Sequence, residues 1–379
     1  MARQTGVWRK QIEGYNAFIP FDLPPSPPLE FDDEMRAMLS KADRALGRLD
    51  GSIEALPNPE HFVFMYVRKE AVLSSQIEGT QASLRDVLEV EARLFDPQRP
   101  DDADEIINYV AAMNYGLQRL ETIPLSLRLI REIHERLMRG VRGHHATPGE
   151  FRRSQNWISA VGATLQNASY VPPPPHELPR LLGALEHYLH DETSLPLLVQ
   201  LGLIHAQFET IHPFLDGNGR MGRLLITFCL CERAALTKPV LYLSHFLKRH
   251  RARYYDLLQA IRIDGAWEPW LKFFLQGITE VAAEATETAR RIVGMRETHR
   301  DMIVHELGRG AASGLKLLEW LYQRPMFTVA DVTDLLKITS PAANVLTTKL
   351  LGLGLIRETT GHKRNRVFEY APYTALFLD

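Results

Sequence analysis

Two apolar helical runs, residues 199–211 and 224–230, are separated by a twelve-residue segment reading His212-Pro213-Phe214-Leu215-Asp216-Gly217-Asn218-Gly219-Arg220-Met221-Gly222-Arg223. That order commits the centre of the chain to a helix, a tight glycine-opened loop and a second helix. The start of the second helix offers free backbone N–H groups to an anion. Arg220 and Arg223 are three apart and share one face of its first turn. Two convergent guanidiniums beside free amides suit a polyphosphate. Asp216 suits magnesium, which bridges substrate phosphates through one or two carboxylates. His212, at the loop start, is a candidate base.

Three other readings of the segment fail or weaken. A bare Gly-x-Gly is often only a turn, but this one comes with a histidine, a carboxylate, an amide and two arginines. An EF-hand register would put Phe214 and Leu225 at positions that require carboxylates. A Walker loop needs Lys-Ser/Thr after its last glycine, and Gly219 is followed by Arg220 and Met221.

The segment matches every fixed position of the Fic-domain signature, His-x-Phe-x-Asp/Glu-Gly-Asn-Gly-Arg-x-x-Arg. His205, Phe208 and Ile211 resemble the helix that precedes it in that family. The chain is therefore identified as resembling Fic proteins, α-helical enzymes that transfer AMP from ATP to a protein hydroxyl. The resemblance implies a mainly α fold: a helical Fic-type core with a β-hairpin flap.

It also implies roles. His212 would take the proton of a target Ser, Thr or Tyr hydroxyl as it attacks the α-phosphorus. An unperturbed imidazole is mostly neutral at neutral pH, as a base must be. Asp216 would hold Mg2+, and the amides of Gly217, Asn218 and Gly219 would cradle phosphates. Asn218 would donate to the α-phosphate, while Arg220 and Arg223 would anchor the β and γ charge. Glycine at 219 favours AMP transfer; the Doc branch carries lysine there and phosphorylates. Another donor, such as UTP or CDP-choline, stays open.

A second match lies upstream. Ser74, Glu78 and Gly79 fit the family's inhibitory-helix motif, Ser/Thr-x-x-x-Glu-Gly/Asn. Glu78 would pair with Arg223 and keep it from the γ-phosphate, making the protein self-restrained. In some relatives the same glutamate helps remove AMP, and the sequence does not separate brake from eraser.

Composition bounds these expectations. In 379 residues, Lys plus Arg is 44 and Asp plus Glu 46, so no global basic field points to nucleic acid. Hydrophobic content of 45% and charged content of 24% are ordinary for a globular protein. No run approaches the roughly 20 apolar residues of a membrane span. The only cysteines, Cys229 and Cys231, read as core residues. A cytoplasmic location, where ATP is available, fits these features.

Three regions are expected. Residues 1–100 hold an extended arm over the first thirty residues, proline-rich around 20–28, then helices from about 32 to 49, from 59 to 78 and from 83 to 95, the last with Ser83 at its N-cap. The second of these is the inhibitory helix. Residues 101–300 form the catalytic core. Within it, 156–161 and 168–171 read as short strands, and the resemblance makes them the flap that docks a protein target by strand addition. Pro148, Gly149, Glu150, Phe151 and Arg152 extend the likeness. Tyr254 and Tyr255 are candidates to flank adenine, whereas His205, His245 and His250 read as structural.

Residues 310–379 follow a helix, helix, helix, hairpin pattern, that of a winged helix-turn-helix. Thr328 caps the second helix and Ser340 with Pro341 opens the third. Lys363, Arg364 and Arg366 lie on the wing. The reading face (Ala342, Ala343, Asn344, Thr347, Thr348, Lys349) has a single cation. Protein contacts, a homodimer among them, therefore compete with DNA binding.

Overall fold

The computed structural model describes residues 3–54, 56, 58–92, 102–140, 147–159, 162–191, 195–362 and 365–378. The order is β1 (Gly6–Lys10), β2 (Asn16–Pro20), α1 (Asp33–Glu54), α2 (Pro59–Ile77), α3 (Leu84–Glu91), α4 (Ala103–Leu120) and α5 (Leu127–Leu137). Then come α6 (Leu178–His190), α7 (Leu197–Ile211), α8 (Asn218–Glu232), α9 (Ser244–Arg249), α10 (Arg251–Asp264) and α11 (Trp267–Leu307). The chain closes with α12 (Ala311–Leu321), β3 (Met326–Thr328), α13 (Val329–Leu336), α14 (Ser340–Gly352), β4 (Arg357–Glu358), β5 (Val367–Glu369) and α15 (Ala371–Thr374). The fold is mainly α, as expected.

Local chemistry explains the boundaries. Ser83 caps α3 and Thr328 caps α13, each in a reciprocal box with an aspartate three residues on. Ser126 caps α5. Proline occupies the first turn of α2, where its missing N–H costs nothing. The third C-terminal helix starts one residue earlier than expected, with Thr339 at the cap and Ser340 already helical.

α7 is the central element, buried at every position from Leu198 to Ile211. α8 returns against it and is buried from Arg220 to Leu230. A helix enclosed on all sides carries no amphipathic stripe, which is why both runs read as almost continuously apolar. α2, α4, α6, α10 and α11 pack around the pair. α2 is the important neighbour, since it also carries Ser74 and leads to Glu78.

One expectation changes at the N-terminus. The first thirty residues are not simply an extended arm, because β1 and β2 pair antiparallel with Trp8 opposite Phe18. This hairpin leans on the flap: the Phe18 N–H donates to the Val171 carbonyl at 3.0 Å, and Trp8 meets the Tyr170 ring edge-on at 6.4 Å. Among the described residues the flap shows one antiparallel bridge, Ile158 with Tyr170. Residues 160–161 of its first expected strand lie outside the described residues.

At the C-terminus, β3, β5 and β4 form a small antiparallel sheet with β5 in the middle. The order is helix, strand, two helices and a two-stranded hairpin, one strand (β3) more than the expected helix, helix, helix, hairpin. Lys363 and Arg364 lie outside the described residues. Ala343 and Thr347 are buried, so they belong to the module's core and not to a reading face. α15 and the residues after it run back onto α2, where Phe377 meets the Tyr66 ring edge-on at 5.3 Å.

Candidate active site

α7 ends at His212, which takes the left-handed conformation (φ 51°, ψ 60°) while its N–H still donates to the Phe208 carbonyl. The chain therefore leaves the helix sharply, with the imidazole at the loop start. The loop runs to Gly217, whose φ of +76° makes it the N-cap of α8. A glycine cap has no side chain to satisfy the helix amides, so Asn218, Gly219 and Arg220 keep N–H groups without intrahelical acceptors. The positive end of the α8 dipole lies at the same place.

The loop's shape is held by side chains. Asn218 closes it, accepting from the Phe214 N–H at 2.8 Å and donating to the Phe214 carbonyl at 2.8 Å. One Nδ2–H of Asn218, expected to donate to an α-phosphate, is thus spent on the loop backbone, and the NH2 group carries a second donor. Arg152, 2% exposed, donates through Nε to the His212 carbonyl at 2.9 Å and through Nη2 to the Pro173 carbonyl at 2.5 Å. Asn156 donates to the Phe214 carbonyl at 2.8 Å. His134 contacts the Asp216 carbonyl.

The His212 imidazole is part-buried, and Nδ1 has no hydrogen-bond partner among the described residues. Burial, with Arg152 and Arg262 nearby, pushes its pKa down to about 3. The ring is neutral. Asp216 is about half exposed (49%), and its Oδ1 accepts from the Gly217 N–H at 2.6 Å. One open carboxylate beside free amides fits a magnesium ion that completes its shell with phosphate oxygens.

The two guanidiniums differ. Arg220 is turned toward α4 and α5, where Nη1 donates to Glu105 Oε2 at 3.2 Å and Nη2 to Met138 Sδ at 3.5 Å. Arg223 faces α2. Its Nε donates to Ser74 Oγ at 2.8 Å, and its Nη2 to the Ser74 carbonyl at 3.0 Å and to Glu78 Oε1 at 2.6 Å. Burial alone would lower the Arg223 pKa. Glu78, Tyr254, Tyr255 and Glu209 outweigh burial and hold it above its ordinary value.

Glu78 also covers the start of α8. A Cβ built on Gly219 would meet Glu78 Oε1 at 2.2 Å. A carboxylate thus stands against the backbone where the free amides begin. Gly79, with φ of +105°, lets the chain turn away immediately after it. The structure brings Ser74, Glu78, Gly219 and Arg223 together; of these contacts the family resemblance implied the pairing of Glu78 with Arg223.

Other expectations resolve individually. Tyr254 is fully buried and donates to His205 Nε2, while His205 Nδ1–H donates to the Gly222 carbonyl at 3.0 Å. Both are core residues. Tyr255 is 37% exposed and remains the candidate for adenine. Sequence reasoning missed His134, Arg152, Asn156 and Glu105 as supports of the loop. His134 left one trace, a polar residue on the otherwise apolar face of α5.

Residues 36–118 match the Fic/DOC family N-terminal model and residues 124–230 the Fic/DOC family model. The protein adenylyltransferase Fic of Drosophila grimshawi is 31% identical over 247 residues, covering 61% of this chain and 47% of that protein. Its counterpart in Drosophila virilis is 29% identical over 266 residues, covering 63% and 50%. The chain thus spans about half the length of the relatives it matches. The fold resembles the crystal structure of a Fic family protein from Desulfovibrio desulfuricans G20, with a TM-score of 0.59, 19% identity, and coverage of 91% of this chain and 98% of that one. With its signature loop at the N-terminus of α8 and family matches across about half its length, the chain belongs to the Fic/DOC family.

Proposed function

We propose that this protein is a self-restrained adenylyltransferase that moves AMP from ATP to a Ser, Thr or Tyr hydroxyl of a protein. The observation that carries the reading is an uncapped helix N-terminus flanked by two buried guanidiniums, with a glutamate lying over it. The glutamate sits where phosphate charge would be held.

The hydroxyl oxygen attacks the α-phosphorus, the bond from that phosphorus to the bridging oxygen breaks, and pyrophosphate leaves. The hydroxyl proton goes to His212, whose ring is neutral. The amides at the start of α8 and Arg223 hold phosphate charge, a positioning and electrostatic role. Asp216 would bind Mg2+, which supplies charge neutralisation across the phosphates. The chain near residues 156–171 would dock the target segment as an added strand, with the N-terminal hairpin bracing it from behind. While Glu78 and Ser74 occupy Arg223, the productive nucleotide pose is withheld.

The test is a panel of labelled nucleotides, scored by mass shift on the protein itself. The Glu78→Gly protein should gain the mass of AMP from ATP with magnesium. A gain from another donor alone, or none from any, sinks the reading.

A second role attaches to the C-terminal module, which we read as a winged helix serving protein contact, a homodimer included. On α14, Val345 is 58% exposed and Leu351 36%. Apolar side chains there suit a protein surface better than a phosphate backbone. Salt-dependent binding to random DNA would argue for the other use.

A further inference from the structure

α5 carries His134 on its buried face, 0% exposed. The ring lies flat on Phe214, with centroids 3.6 Å apart and planes 4° apart. The Gly149 N–H donates to Nδ1 at 2.9 Å. That bond decides the tautomer: Nδ1 is the acceptor, so Nε2 carries the proton and donates to the Asp216 carbonyl 3.0 Å away. One imidazole therefore joins two segments remote in sequence. One is the turn at Gly149, which leads through Arg152 and Asn156 to the flap. The other is the peptide between Asp216 and Gly217, where the loop becomes α8.

The contact is close on that side. A Cβ on Gly217 would meet Met138 Sδ at 2.8 Å and His134 Nε2 at 3.3 Å. The Asp216 carbonyl is held on the α5 side, while the Asp216 carboxylate stays half exposed. Fixing the carbonyl fixes the peptide plane. The plane in turn sets where the carboxylate points and how the first amides of α8 are presented.

We propose that His134 is a positioning residue for the magnesium nucleotide, acting through the Asp216–Gly217 peptide and coupling it to the base of the flap. The proposal rests on the AMP-transfer reading only as far as nucleotide binding. Substitutions can separate the two bonds. His134→Phe keeps a flat ring against Phe214 and loses both. His134→Gln places an amide N–H where Nε2 stands and keeps the donor to the Asp216 carbonyl. His134→Asn places an amide oxygen where Nδ1 stands and keeps only the acceptor for Gly149.

Each variant is made in the full chain with Glu78→Gly. A fluorescent ATP analogue is titrated with and without magnesium, and melting temperature is recorded alongside. Groups that orient a metal ligand typically contribute about 10- to 100-fold in metal affinity. His134→Phe should weaken magnesium-dependent nucleotide binding about tenfold, with a smaller change when magnesium is absent. His134→Gln should recover most of the loss and His134→Asn little. Equal binding by all variants overturns the proposal, as does a loss that follows melting temperature alone without the Gln-over-Asn order. If Glu78→Gly binds the nucleotide but transfers no AMP, the adenylyltransferase reading falls and the role of His134 stands.

Discussion

Arg223 and Glu78 are 145 positions apart in sequence, yet Nη2 and Oε1 meet at 2.6 Å. The arginine side chain is 2% exposed and the glutamate 37%. Ser74 takes two further donors of the same guanidinium, so one residue of α8 is gripped by the end of α2. Arginine matches this task because its planar fork can serve several acceptors at once.

Freeing Arg223 should activate the protein. Removing one partner of a part-buried ion pair shifts a population by a few kcal/mol, and each ~1.4 kcal/mol is tenfold. Glu78→Gly should therefore raise self-modification roughly ten- to a hundredfold. Arg223→Ala should be inactive, and so should Glu78→Gly/Arg223→Ala, since the glutamate acts through that arginine. AMP incorporation at matched protein and ATP concentrations checks this. Activity regained in the double variant would falsify the assignment.

His212 makes a prediction about pH. With its pKa held near 3, the ring stays neutral throughout the range in which an exposed histidine would titrate. The rate of Glu78→Gly should accordingly be flat from about pH 8 down to about pH 5, with no fall near 6.5. His212→Ala in that background should lose about 10²- to 10⁴-fold in rate while still binding nucleotide. A clear acid limb at pH 6.5 that disappears with the histidine would show an exposed base instead.

Glu209 predicts a pH-dependent stability. Burial raises its pKa to about 7, opposed by Arg223 and reinforced by Glu78. Its Oε1 has no hydrogen-bond partner among the described residues. The folded chain thus keeps a proton that the unfolded chain releases near pH 4. The stabilising contribution is full below that pH and is lost as pH rises through 7. Glu209→Gln keeps the shape without the titration. Its melting temperature should fall less than the parent's between pH 5 and pH 8, and should exceed the parent's at pH 8. Identical slopes for the two proteins would contradict the assignment.

The C-terminal module should be dispensable for chemistry but not for stability. Every candidate site residue lies upstream of residue 310, so a chain ending there and carrying Glu78→Gly should still incorporate AMP. It loses Phe377, which covers Tyr66 on α2, and burying an aromatic of that size is worth about 3–5 kcal/mol. Calorimetry should record a lower melting temperature. A truncated chain that keeps its circular dichroism but cannot self-modify would mean the module belongs to the catalytic core.

Much of this protein was legible in the sequence because its signals are local. The loop from His212 to Arg223, the capping residues Ser83 and Thr328, and the glycine after Glu78 each act within a few positions of themselves, so reading along the chain finds them. Family resemblance supplied the pairing of Glu78 with Arg223, which no periodicity reveals. Only the folded chain decided what lies across from what. It buried Tyr254 against His205, used the Asn218 amide to close the loop, turned Arg220 toward Glu105, and joined residues 6–10 to 16–20 as a hairpin behind the flap. It also brought His134, Arg152 and Asn156 onto the carbonyls of the loop. These are contacts between helices and loops far apart in sequence. Their reason is physical: a buried carbonyl or guanidinium must find a partner, and which partner is near depends on how the helices pack.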